Sequence, residues 1–75
     1  MHEKYAEWEA LCLKYNEARD AENVNAMAVM SDQLRYWDGQ ASTGVIIANI
    51  AAWTKAKAAT AAIEDEMELF ILASR

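Results

Sequence analysis

No proline interrupts the 75-residue chain, and its two glycines, Gly39 and Gly44, stand close together near the middle. A chain whose helix breakers are confined to one place can run helical over most of its length. Alanine is abundant and period-two alternation of apolar residues is absent, so the expected class is all-α. Hydrophobic residues make up 55% of the chain, which argues against disorder. The length allows one domain, residues 1–75, with a modest core that is marginal alone. Cys12 is the only cysteine, so no internal disulfide can form. His2 and Cys12 cannot supply the four ligands of a structural zinc site. A partner chain or good helix packing remains as the stabiliser.

The apolar pattern predicts a first helix over about residues 3–19, with Tyr5, Trp8, Leu11, Cys12, Tyr15 and Ala18 on one face. Its aromatic stripe reads as core. The phase slips around Arg19 to Asn23. The next stripe, Val24, Met27, Met30, Leu34 and Trp37, is out of register with the first. Asp20 and Asn23 are good N-cap residues, which predicts a tight turn and a second short helix over 24–37. A single bent helix is the alternative, because nothing in Arg19-Asp20-Ala21-Glu22-Asn23 forbids helix. Asp38-Gly39 is the clearest break, since glycine suits the left-handed position after a helix end. Ser42 or Thr43 can cap a third helix over 43–73, about 45 Å long.

From Val45 to Ile63 this long helix carries no carboxylate. Ala48, Ala52, Ala56 and Ala59 form one stripe of small residues, and Ala51, Ala58 and Ala62 another. Such stripes let helices approach closely. Ile46, Ile50, Trp53 and Ile63 add bulk, and Met67, Leu69, Phe70, Ile71 and Leu72 follow. A helix apolar on several sides must be covered on several sides. The predicted oligomer or partner interface is Ile46, Ile50, Ala52, Trp53, Ala56, Ala59, Ile63, Met67, Phe70 and Ile71. The expected architecture is a hairpin of two short helices followed by one long Ala-rich helix, a three-helix unit that oligomerises.

Formal net charge is −5, and such an acidic chain is repelled by nucleic-acid phosphates. Glu64, Asp65, Glu66 and Glu68 cluster, but on successive helical positions they radiate apart and read as a solvated face. Lys55 and Lys57 follow Trp53 and could contact an anion. They point about 200° apart, so convergence needs two protomers. His2 reads as solvated, and Cys12 as a buried filler. Ser31, Ser42 and Ser74 lack a surrounding His–Asp arrangement, and no Gly-rich phosphate loop occurs. These readings predict a protein that is not an enzyme and uses no cofactor. Met1 to Tyr5 lacks a basic start followed by an apolar run, and the uncharged stretch Gly39 to Thr54 is too short to span a bilayer. The expected location is the cytoplasm, or a virion assembled there.

Two local likenesses occur. Trp8-x-x-Leu11-Cys12-x-x-Tyr15, with Val24, Ala28 and Ser31 beyond it, resembles one tetratricopeptide unit. With no following copy, this resemblance implies at most a helical hairpin of that style. Trp37-Asp38-Gly39, with Trp53 farther on, resembles the turn of the secreted Trp-x-Gly helical hairpins over roughly residues 36–53. The Tyr-x-x-x-Asp/Glu signal of that family is missing after the last helix.

The reading that follows is a non-enzymatic helical assembly protein. It would be homo-oligomeric through its third helix, with a structural component of a phage or viral particle as the expected setting. The alternatives are an acidic helical inhibitor that engages a basic surface of a host protein, and sequestration of a small anionic ligand between protomers at Lys55 and Lys57.

Overall fold

The computed structural model describes residues 4–74, which form two long helices and one turn. Helix α1 spans Tyr5–Trp37 and helix α2 spans Thr43–Ala73. At 33 and 31 residues they are each close to 50 Å long. They pack side by side as an antiparallel hairpin measuring 56 × 18 × 11 Å.

The expected break near residue 20 does not occur, so the three-helix arrangement is corrected to two helices. Asp20 and Asn23 lie inside α1. With no glycine or proline between Tyr5 and Trp37, continuing the helix adds a backbone hydrogen bond per residue, whereas a new end would leave groups unpaired. Local pairs support this stretch: Arg19 meets Glu22 at 3.8 Å, and the Asn25 amide donates to the Ala21 carbonyl at 2.7 Å. The third predicted helix, 43–73, is α2 with the expected bounds. The predicted start of the first helix at Glu3, and His2, lie outside the described residues.

The turn is set by its own chemistry. Gly39 adopts φ +75°, and α1 closes with two bonds of a Schellman motif. In these, Gln40 N–H donates to the Arg35 carbonyl at 2.7 Å and Gly39 N–H to the Tyr36 carbonyl at 3.0 Å. Ser42 then caps α2, its hydroxyl accepting from Val45 N–H at 3.3 Å.

The two helices meet along a seam with heptad spacing. On α1 the buried and half-buried positions include Trp8, Leu11, Tyr15, Ala18, Glu22, Asn25, Val29 and Asp32. On α2 they are Ile46, Asn49, Trp53, Ala56, Thr60, Ile63, Met67 and Phe70. Both series advance by alternate threes and fours, the mark of a coiled coil. The seam therefore crosses the apparent phase slip without interruption. It does so by changing chemistry, from aromatic and aliphatic at the open end to polar in the turn half.

Asp32 is the clearest case, at 7% exposure. Its carboxylate accepts from the Asn49 amide across the seam and meets Arg35 at 3.6 Å on its own helix. Thr60, more buried still, satisfies its hydroxyl by donating to the Ala56 carbonyl at 3.2 Å. At the open end Trp8 and Phe70 stack with centroids 5.8 Å apart. Among the described residues Ile46 alone is a buried hydrophobic.

Candidate interaction surface

Seven positions per two turns place residues a heptad apart on the same flank of the hairpin. One flank carries the Lys14–Glu66 ion pair, 3.1 Å across the seam, together with Ala52 and Ala59. The opposite flank is apolar at both ends. Near the termini it opens into a groove of about 490 Å³ lined by Trp8 and Tyr15 of α1 and by Glu64, Met67, Glu68, Ile71 and Leu72 of α2. Its walls are aromatic and aliphatic, and the two carboxylates lie one helical turn apart.

Toward the turn, Met30 and Trp37 stand on this flank of α1, with Ile47 and Ile50 on α2. The outer face of α1 adds Val24, Met27 and Leu34. All are exposed, Met27 to 69% and Trp37 to 72%. The stripe Val24 to Trp37, expected to pack against a neighbouring helix of the same chain, thus faces away from α2. Helix α2 instead meets the polar side of this part of α1, through Asp32 and Asn49.

The ten predicted interface residues divide. Ile46, Trp53, Ala56, Ile63, Met67 and Phe70 line the seam and face α1. Ile50, Ala52, Ala59 and Ile71 are exposed. Ile50 and Ile71 lie on the apolar flank, three heptads apart, whereas Ala52 and Ala59 lie on the other. Of the alanine stripe only Ala56 enters the seam. Sequence reasoning missed Met30, Leu34, Trp37 and Ile47 as exposed surface. A heptad scan would have found them, because the polar residues Glu22, Asn25, Asp32 and Asn49 hold seam positions and displace the apolar residues outward.

The proposed anion residues do not converge. Lys57 Nζ lies 4.2 Å from the centroid of the Trp53 ring in a cation–π contact, and Lys55 points elsewhere into solvent. The acidic cluster also disperses. Glu66 pairs with Lys14, and Glu64 and Glu68 edge the groove. Among the described residues no three His, Cys, Asp or Glu side chains gather as a metal-binding group. Cys12 is half-buried and free. No helix among the described residues is long and apolar enough to cross a membrane.

The turn falls at Trp37-Asp38-Gly39, where the resemblance to Trp-x-Gly hairpins places one. No family model, curated protein or solved structure matches the chain.

Proposed function

We propose that this protein is a non-enzymatic assembly protein whose working form is built from copies of the hairpin. One observation carries the reading: the seam half-buries one set of large apolar side chains, and a second set of similar size is left exposed. Trp37, Met27, Leu69, Val24 and Met30 are each exposed by more than half, whereas Ile46 is the buried hydrophobic among the described residues. Exposed large apolar side chains that gather on one side, as Met30, Trp37, Ile47 and Ile50 do here, mark an interaction site. A small structural component of a phage or viral particle is a setting this chemistry suits.

Light scattering after gel filtration, over a wide concentration range, tests the reading. A fixed multiple of the 8.4 kDa chain mass supports it. A folded species that stays at 8.4 kDa up to high concentration refutes it.

A second reading rests on the groove at the open end. Its apolar walls and the carboxylates of Glu64 and Glu68 suit a basic amphipathic helix from another protein, as an acidic inhibitor would require. Such a complex weakens with salt. A captured partner that withstands high salt counts against it.

A further inference from the structure

Surface area states how much of the hairpin awaits cover. The chain exposes 5645 Å², whereas a folded monomer of 8.4 kDa exposes about 4,600 Å² by size scaling. The excess, about 1,000 Å², is close to the roughly 800 Å² that each partner contributes to an ordinary stable interface. The radius of gyration agrees: 17.1 Å against about 11 Å for a compact chain of this length. One further copy laid along the hairpin is therefore enough to cover the excess.

Chemistry selects the flank. Two apolar stretches lie on the same side, Met30, Trp37 and Ile50 toward the turn and the Trp8–Ile71 groove at the open end. Between them runs a belt of charge made by Arg19, Lys57 and Glu64. The opposite flank is poorer in bulk: it carries Val45, Ala52, Ala59 and the Lys14–Glu66 ion pair, with Leu69 at its edge.

Charge also selects the direction. The cross-seam pairs Lys14–Glu66 and Asp32–Asn49 show that residues whose numbers sum to about 80 stand at the same height. If the copies ran in opposite directions, α1 would lie on α1 and α2 on α2. Arg19 would then face the partner's Arg19 near mid-length, and Lys57 the partner's Lys57. If the turns lie together, α1 lies on the partner's α2. Arg19 then stands within about 5 Å in height of the partner's Glu64, and Met30 is level with the partner's Ile50. The partner's Lys57 lies about 6 Å away in height on the other side of Arg19. The like-charge approach is thus offset by a carboxylate that the opposite arrangement does not bring to Arg19, and the apolar stretches meet.

Resting on the self-assembly reading above, we propose that the flank of Met30, Trp37, Ile50 and Ile71 docks a second copy of this chain, turn beside turn, as a two-fold four-helix bundle.

The test uses the full chain. Light scattering should give twice the 8.4 kDa chain mass. Met30→Glu combined with Ile50→Glu would set carboxylates against each other on the docking flank and should weaken the dimer roughly 100-fold or more. Ala52→Glu combined with Ala59→Glu, on the other flank, should change it less than about threefold. If the alanine variant dissociates and the Met30/Ile50 variant does not, the flank assignment is overturned while self-assembly stands. If the unsubstituted chain is monomeric, both readings fall.

A spin label at Gln40→Cys in a Cys12→Ser background reads direction; the serine is close in size to the half-buried thiol it replaces, and the background should keep the dimer mass of the unsubstituted chain. Turn beside turn predicts a label separation under about 25 Å. A separation of about 45 Å or more means the copies run in opposite directions and overturns the arrangement.

Discussion

Replacing Asp32 by alanine tests whether the hairpin is held by a polar seam. Asp32 is among the most buried described residues, and its carboxylate accepts from the Asn49 amide of the other helix. Asp32→Ala removes the acceptor and leaves a half-buried amide without its partner. A hydrogen bond to a charged group contributes about 1.5–3 kcal/mol. Asn49 is only half-buried, so water can recover part of this, and the lower end applies. The Arg35 contact adds little, because that guanidinium is 55% exposed and the pair is 3.6 Å apart. The expected loss is about 1.5 kcal/mol, which for a chain of this size lowers Tm by about 6–12 °C. The assay is thermal denaturation followed by helical circular dichroism at one fixed protomer concentration, since assembly makes Tm concentration-dependent. Asp32→Leu combined with Asn49→Leu should restore most of the loss, because removing both polar partners leaves neither unsatisfied. A loss below about 0.5 kcal/mol for Asp32→Ala would refute the reasoning, since it would mean that the carboxylate is solvated and the seam is held by other contacts.

Three further outcomes are expected. Trp8→Ala removes the stack on Phe70 and one wall of the groove, and should cost about 2–3 kcal/mol in urea denaturation. The two glycines should respond with opposite signs. Gly39→Ala should destabilise by about 1 kcal/mol, because φ +75° is unfavourable for alanine even with open space around its Cβ. Gly44→Ala should stabilise by about 0.5–1 kcal/mol, since the position is helical and the new Cβ meets only the Ser42 hydroxyl at 3.8 Å. Ser42→Ala should cost about 1 kcal/mol through the lost cap on Val45, read as a lower Tm and faster amide exchange in the first turn of α2.

The all-α class, the break at Asp38-Gly39 and the bounds of α2 were legible because each depends on local chemistry: glycine at positive φ, a serine cap, and no breaker elsewhere. The continuity of α1 was not legible from the apolar stripes. Reading the slip between Ala18 and Val24 as a break assumes that every apolar stripe faces the same neighbour. Here the seam passes through Glu22, Asn25 and Asp32, so Val24, Met27 and Met30 are turned outward. Periodicity reports which residues share a face, and not which face the partner helix occupies. The interface residues followed the same pattern. Ile50 and Ile71 remain on the exposed apolar flank, whereas Trp53, Ile63, Met67 and Phe70 went to the seam within the hairpin. Ala52 and Ala59 drew notice for their size, but with only Val45 and Leu69 as bulk near their flank they mark a surface poorer in apolar side chains than the other.

The placing of the polar pair beside the turn bears on the order in which the chain closes. Asp32 and Asn49 are separated by 17 residues, whereas the stacked Trp8 and Phe70 lie 62 positions apart. Loop-closure entropy makes the longer loop costlier by about 1 kcal/mol when each is formed from the open chain. A zipper that begins at Gly39 therefore meets its directional contact first and its aromatic contacts last. A hydrogen bond between two short side chains admits one alignment, whereas aliphatic side chains slide past one another. Fixing the alignment near the turn means that each later heptad closes in a register already chosen, and the aromatic end has only to fill it.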